Sequence, residues 1–249
     1  MKVKIILIAL ACLVSSHSIA QEHKTIEIKK HSRNVEYHLS VDLPGSKDID
    51  KSWLFNFIYD TAVEELNNYG EEIFPKAKYS MTTESGLREN LMSLINKHLG
   101  VNKEFEGLTV EWMLRLISES DKYWCYKSEY DQNEGTMYPT TIVIVIRKSD
   151  CKRITEFVKA DRVEELNAKI GNNLNEYLCN DIINKSELID YLYEYSAYEL
   201  TEDCWIDSQY FYIQHQKPVG GSFGGAYYFR IPLSEMTPYL TDEMKALIR

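Results

Sequence analysis

No Cys-x-x-Cys pair and no His-Glu-x-x-His occurs in the chain, so the commonest short signatures of zinc binding and thiol exchange are missing. Histidine is scarce, and His23, His31, His38, His98 and His215 have no mutual spacing that sets two on one helix face. A metal site therefore has no support, no cofactor is expected, and the histidines read as surface residues. Low-complexity tracts and clear internal repeats are absent as well. Basic residues are in deficit, with 28 Lys and Arg against 38 Asp and Glu and a net charge of −10. Nucleic acid or an anionic membrane surface would call for the opposite balance. After the first twenty residues, no apolar run approaches the roughly 20 residues of a bilayer span.

What the chain does carry at its start is an address. Met1-Lys-Val-Lys4 is positive, Ile5 to Val14 is apolar, and Ser18-Ile19-Ala20 before Gln21 is a small-x-small cleavage site. That order predicts a secretory signal peptide over residues 1–20, cleaved after Ala20. Cys12 invites a lipoprotein reading, but Ala9-Leu10-Ala11 fits a lipidation box poorly. Cleavage takes away Lys2 and Lys4 and no acid, which moves the charge from −10 to −12. A periplasmic or secreted protein is expected. Of the five cysteines, Cys125, Cys151, Cys179 and Cys204 remain after cleavage, an even number in a compartment that permits disulfides. Three connectivities are open. Sequential pairing, Cys125 to Cys151 and Cys179 to Cys204, is preferred because each bridge closes one local unit.

Periodicity predicts an α+β fold of antiparallel hairpins and a meander packed with several amphipathic helices. Ile26 and Ile28, then Val35, Tyr37, Leu39, Val41 and Leu43, alternate with polar residues around a turn at residues 31–34, which reads as a hairpin with one wet face. Asp50 is a plausible N-cap for a helix with the stripe Trp53, Leu54, Phe57, Ile58, Thr61 and Leu66. A second helix runs from about Thr83 to a stop at Gly100. Trp112 to Ser118 fits helix or strand, and Tyr123 to Tyr130 reads as a strand. Thr140 to Ile146 is an almost unbroken β-branched run, expected as a central strand buried on both faces. Helical period returns from Asp161 to Leu178 and again after Ser186, with Leu188, Tyr191, Leu192, Tyr195 and Tyr198 as a core stripe. Strands are expected at Trp205 to Ile213 and Tyr227 to Ile231, followed by helical segments from Leu233 and from Thr241.

The last hundred residues resemble a known family. Thr140-Thr-Ile-Val-Ile-Val-Ile146, Arg153-Ile-Thr-Glu-Phe-Val158, an amphipathic helix, Tyr210-Phe-Tyr-Ile213 and then Tyr227-Tyr-Phe-Arg-Ile-Pro-Leu-Ser-Glu-Met236 with Pro238-Tyr-Leu-Thr241 follow a recurrent order. That order is similar to the RsiV-like extracytoplasmic domain of unknown function, found at the C-terminus of a lysozyme-sensing anti-sigma factor and of some peptidoglycan deacetylases. The resemblance implies a C-terminal RsiV-like domain over residues 108–249 behind an N-terminal hairpin-plus-helices module over residues 21–107. It also implies a non-catalytic envelope protein that recognises a basic hydrolase such as lysozyme. Where the family shows a Pro-Tyr-Glu-Ile loop that helps hold the ligand, this chain has His215 to Gly225.

Catalytic motifs fare poorly. Gly220-Gly-Ser222-Phe-Gly224 has the letters of a nucleophile elbow, but a strand follows it and no histidine lies beyond His215. The pairs Glu64-Glu65, Glu71-Glu72 and Glu164-Glu165 read as solvated helix faces rather than paired catalytic acids. The loop itself is the candidate binding edge, with His215, Lys217, Pro218, Phe223 and Tyr227 as its residues, since a rigid scaffold presents binding groups on loops. A cell-wall glycan is the alternative ligand, because the chain has 18 tyrosines, and a glycan-binding module or glycan-modifying enzyme the alternative function.

Overall fold

The computed structural model describes residues 24–31, 35–45, 50–67, 81–101, 108–133, 140–179, 185–215 and 227–248. The proposed signal peptide lies outside them. No described helix is long and apolar enough to cross a membrane.

The expected hairpin forms from β1 (Lys24–His31) and β2 (Val35–Leu43), with Ile26 opposite Val41 and Ile28 opposite Leu39. Its alternation holds, because Val35, Tyr37, Leu39, Val41 and Leu43 are all buried. Asp50 caps α1 (Lys51–Asn67): its Oδ1 accepts the N–H groups of Ser52 and Trp53 at 2.9 and 3.2 Å. The Thr83 hydroxyl accepts the Gly86 N–H at 3.1 Å at the start of α2 (Glu84–Val101). Both helices bury an apolar stripe against the hairpin, Leu54, Ile58 and Ala62 from the first and Leu87, Leu91 and Leu94 from the second.

Trp112 to Ser118 is strand, within β3 (Leu108–Glu119). One pairing departs from the antiparallel expectation. β3 runs parallel to β2, with Leu39 opposite Trp112, because α1 and α2 carry the chain back before it re-enters the sheet. Antiparallel β4 (Tyr123–Asn133), β5 (Thr140–Arg147) and short β6 (Lys152–Ile154) complete a six-stranded sheet in sequential order.

β4 and β5 are buried twice. Trp124, Tyr126, Tyr130, Ile144 and Ile146 join β1–β3, α1 and α2 in one apolar cluster, while Tyr123, Cys125 and Val145 join everything after β6 in another. This double burial is why Thr140 to Ile146 shows no polar alternation. On the far side lie a 3-10 turn (Ala160–Arg162), α3 (Val163–Asn172), α4 (Leu174–Tyr177) and α5 (Lys185–Tyr195). A three-stranded antiparallel sheet, β7 (Cys204–Ile206), β8 (Tyr210–His215) and β9 (Tyr227–Pro232), follows with α6 (Leu233–Met236) and α7 (Asp242–Ile248). The Asp203 carboxylate ties the sheets together by accepting the Val143 N–H at 3.2 Å, on the stretch of β5 that β6 is too short to reach.

Several expected elements are shorter than periodicity implies. The helix from Asp161 breaks at Asn173, whose side-chain amide donates to the Lys169 carbonyl at 2.7 Å. The strand from Trp205 breaks at Asp207, where Oδ1 accepts the N–H groups of Gln209 and Tyr210 at 2.7 and 2.8 Å in an Asx turn. Glu65 is 1% exposed rather than on a solvated face, and its Oε1 accepts the Ser128 hydroxyl at 2.7 Å.

No disulfide joins Cys125, Cys151, Cys179 or Cys204 among the described residues. Cys125 enters the second cluster, whereas Cys151 lines a groove beside Trp53 and Phe57 on the opposite face of the sheet. Cys204 is opposite Ile213, Ile213 opposite Phe229, and Phe229 bridges to Leu178, next to Cys179. Three such steps of about 4.8 Å set Leu178 about 14 Å from Cys204, so Cys179, one residue of about 3.8 Å further on, stays beyond the ~7 Å that a bridge tolerates. Burial holds the Cys125 thiol up at about 12 and raises that of Cys204. Titration of the denatured, unreduced protein should therefore find these four thiols free. In the native protein Cys151, the one that is not buried, should react first, and a native protein with Cys151 already oxidised would contradict this arrangement.

Candidate functional site

His215 closes β8 and Tyr227 opens β9 directly opposite it. Lys217, Pro218 and Phe223, together with Ser222, fall in residues 216–226, outside the described residues. The two loop residues that are described serve the core instead of a binding edge. The His215 ring stacks on Tyr227 (centroids 5.1 Å apart, planes 5° apart) and meets Phe229 edge-on at 5.5 Å. The Tyr227 hydroxyl donates to the Ala197 carbonyl at 2.7 Å. Burial lowers His215 to about 4, against a hydrogen bond to the Glu199 backbone that pulls the other way. His98 is buried too, hydrogen-bonded to the Tyr37 hydroxyl, so neither histidine is the surface residue that sparse spacing suggested.

A different surface gathers binding chemistry. Along β7–β9, Cys204, Ile206, Phe211, Ile213, Phe229 and Ile231 point into the second cluster. The alternate residues Trp205, Tyr210, Tyr212, Tyr228 and Arg230 share the other face and are half-buried or exposed. Trp205 and Tyr212 are cross-strand partners whose rings stack at 4.8 Å with planes 4° apart. Tyr228 leans on both, at 5.9 and 6.1 Å, and the Arg230 guanidinium sits 4.8 Å over the Tyr210 ring. The Tyr212 hydroxyl donates to Asp207 Oδ2 at 2.6 Å; burial, then that carboxylate, raises its phenol.

Asp207 also lines a groove of about 390 Å³ between the β3–β4 turn and α7. Glu119 and Asp121 line it with Lys122, whose ammonium donates to the Ala246 carbonyl at 3.1 Å. Glu119 Oε1 accepts the Lys148 ammonium at 2.6 Å and the Trp124 indole at 3.0 Å. Its Oε2 is buried with no hydrogen-bond partner among the described residues. Aromatic contact area and an acid-lined groove therefore adjoin at one residue, Asp207. Of the helical tyrosines expected as core, Tyr191 and Tyr198 are partly buried, while Tyr195 is 61% exposed; Tyr193, outside that stripe, is 54% exposed.

No family model matches this chain, and no curated protein matches it. Solved structures do. A member of the DUF3298 family from Bacteroides fragilis NCTC 9343 is similar over 92% of this chain and 97% of its own, at 11% identity and a TM-score of 0.60. A DUF3298 family protein from Pseudomonas aeruginosa PAO1 is similar over 90% of this chain and 94% of its own, at 8% identity and a TM-score of 0.53. The fold is DUF3298-like. At such identities the likeness covers the backbone path and not the side chains of the surface.

Within this DUF3298-like fold, His215 sets a measurable acid sensitivity. Its folded pKa of about 4 lies below the ordinary 6.5, so the unfolded chain takes up the proton first and stability falls as pH drops between those values. The loss should reach up to about 3 kcal/mol at the bottom of that window. His98, also lowered by burial, adds to the slope. His215→Phe keeps an aromatic stack and should flatten the curve measured by urea unfolding from pH 7 to pH 4. A slope unchanged by the substitution would mean that His215 titrates normally.

Proposed function

We propose that this chain is an exported, non-catalytic binding protein of the cell envelope, RsiV-like, whose partner is a basic protein of the lysozyme-like hydrolase kind. The observation that carries the reading is the junction at Asp207 between the aromatic face of β7–β9 and the acid-lined groove. Trp, Tyr and Arg are the side chains that most often dominate protein interfaces, and here they share one sheet face. Carboxylates beside them admit a cationic partner and reject an acidic one. A lysine or arginine of the partner entering the groove would meet Asp121, Asp207 and the buried Oε2 of Glu119. The charge of −12 expected after leader removal acts in the same direction over a longer range.

A glycan-binding module is the second reading, favoured by the exposure of Tyr193 and Tyr195. On β7–β9 the geometry is less suited to sugar. Trp205 and Tyr212 turn their ring faces toward each other, and Arg230 covers Tyr210, so the faces on which a sugar would stack are in use.

Asp121 is exposed on the β3–β4 turn, so Asp121→Lys should leave folding stability within about 0.5 kcal/mol. The same substitution should weaken low-salt capture by an immobilised lysozyme-like protein about tenfold or more, and wild-type capture should itself fall as salt rises. No wild-type capture at low salt, or equal capture by the variant, would defeat the reading. Binding to cell-wall glycan that persists at high salt would favour the second one.

A further inference from the structure

A separate groove of about 320 Å³ opens on the opposite face of the six-stranded sheet, beside α1. Trp53 and Phe57, one helical turn apart, stand on its α1 wall, and Ile144 and Ile146 of β5 form its apolar floor. The two wall rings stack at 5.4 Å with planes 5° apart, and Trp53 continues onto Trp124 at 6.3 Å with planes 18° apart. The wall is thus part of a run of near-parallel rings. The β5–β6 hairpin supplies Cys151 and Arg153. Cys151 holds φ at 57°, a conformation that non-glycine residues seldom adopt. Backbone strain of that kind persists where surrounding structure imposes it, and it clusters at ligand sites.

Most polar groups in the lining are already used. The Thr61 hydroxyl donates to the Phe57 carbonyl at 2.8 Å, and Asp60 and Glu64 both have partners within the protein, so neither carboxylate is assigned a ligand contact. Asn56 and Arg153 differ. The Asn56 Oδ1 is buried with no hydrogen-bond partner among the described residues, an acceptor whose desolvation is uncompensated until a donor reaches it. Arg153 is exposed and makes no hydrogen bond or ion pair among the described residues; its charge is only a minor influence on the Asp203 carboxyl, which burial raises. A single free guanidinium calls for one negative charge with two oxygens to match its fork, which a carboxylate supplies. An unmatched acceptor calls for a hydroxyl, and parallel rings over an aliphatic floor for a flat apolar body. We propose that this groove binds a hydroxyaryl monocarboxylate. Its ring lies against Trp53 and Phe57 above Ile144 and Ile146, its carboxylate accepts from Arg153, and its hydroxyl donates to Asn56 Oδ1. A volume at the low end of ligand pockets suits one substituted ring. The site is independent of the β7–β9 surface and stands or falls without it.

The test is calorimetric titration of the whole protein with p-hydroxyphenylacetate, phenylacetate and p-cresol. Saturable binding of p-hydroxyphenylacetate is expected below about 10 mM. Phenylacetate lacks the hydroxyl and p-cresol the carboxylate, so each should bind about tenfold or more weakly. Arg153→Gln should erase the preference over p-cresol and keep that over phenylacetate, whereas Asn56→Leu should do the reverse. Arg153 is exposed, and Asn56→Leu exchanges an unmatched acceptor for an apolar group of similar size, so neither variant should lower the melting temperature. Should Asn56→Leu fold poorly, Arg153→Gln decides alone. Failure of p-hydroxyphenylacetate to saturate, equal binding of the three probes, or a preference over p-cresol that survives Arg153→Gln overturns the proposal.

Discussion

Strands β4 and β5 belong to two hydrophobic clusters at once, and the rest of the chain is arranged around that fact. Val143, Ile144, Val145 and Ile146 are each at most 4% exposed, and burying a side chain of this size contributes roughly 1.5–3 kcal/mol. Because alternate residues serve opposite faces, the hairpin with α1 and α2 cannot pack without the strands that also hold the second half. A polar substitution in β5 would therefore unseat both halves together. The Asp203 bond to the Val143 N–H closes the seam at the point where β6 ends, so an otherwise open strand edge is covered by the approach of β7.

Inside this frame the polar groups act as ties between elements distant in sequence. Trp112 donates to the Ser128 hydroxyl at 2.9 Å, and Ser128 donates in turn to Glu65, which links β3, β4 and α1 through one buried chain. On the other side Lys169 and the Tyr177 hydroxyl both reach Glu235 Oε2, at 2.6 and 2.7 Å, fastening α3 and α4 to α6. Those two hydrogen bonds hold the Glu235 carboxyl below its ordinary value. Arg147 bonds Asp150 in its own turn and Glu243 in α7, again across the chain. Such bonds contribute modestly when exposed, but leaving one member buried and unmatched is costly, so they favour this arrangement over near alternatives.

Fold class, the N-terminal hairpin, the Asp50 cap and the doubly buried run at residues 140–146 could be read from the sequence because each leaves a local periodic trace. The parallel β2–β3 pairing could not, since direction is decided by where two helices return the chain and not by residue pattern. Breaks at Asn173 and Asp207 escaped for the opposite reason: the hydrogen bonds of a single side chain mark the end of each element while the apolar period continues past it. Glu65 was misread because adjacent helix positions lie about 100° apart, which puts one acid of a pair in water and the other against a core. The aromatic face was legible and overlooked. In Tyr210-Phe-Tyr-Ile213 and Tyr227-Tyr-Phe-Arg-Ile231 the period-two alternation already sets Tyr210, Tyr212, Tyr228 and Arg230 on one side. Cysteine parity, by contrast, leaves no trace of which face of a sheet each thiol occupies, so the sequence offered no geometric basis for a pairing.

The two surfaces differ in how they would discriminate among ligands. The face of β7–β9 is broad, its rings are already stacked on one another, and its carboxylates stand at one end, a layout in which contact area supplies affinity and charge selects the approach. The groove beside α1 is small, with the Trp53 and Phe57 rings on one wall and Ile144 and Ile146 as its floor, so shape rather than area limits what could enter it. Both are borne by rigid elements, strands in one case and a capped helix over a doubly buried strand in the other, which limits the ordering cost of binding. The same double burial that leaves β5 no polar alternation thus also fixes the floor of the groove, because Ile144 and Ile146 cannot shift toward a ligand without disturbing Val143 and Val145 behind them.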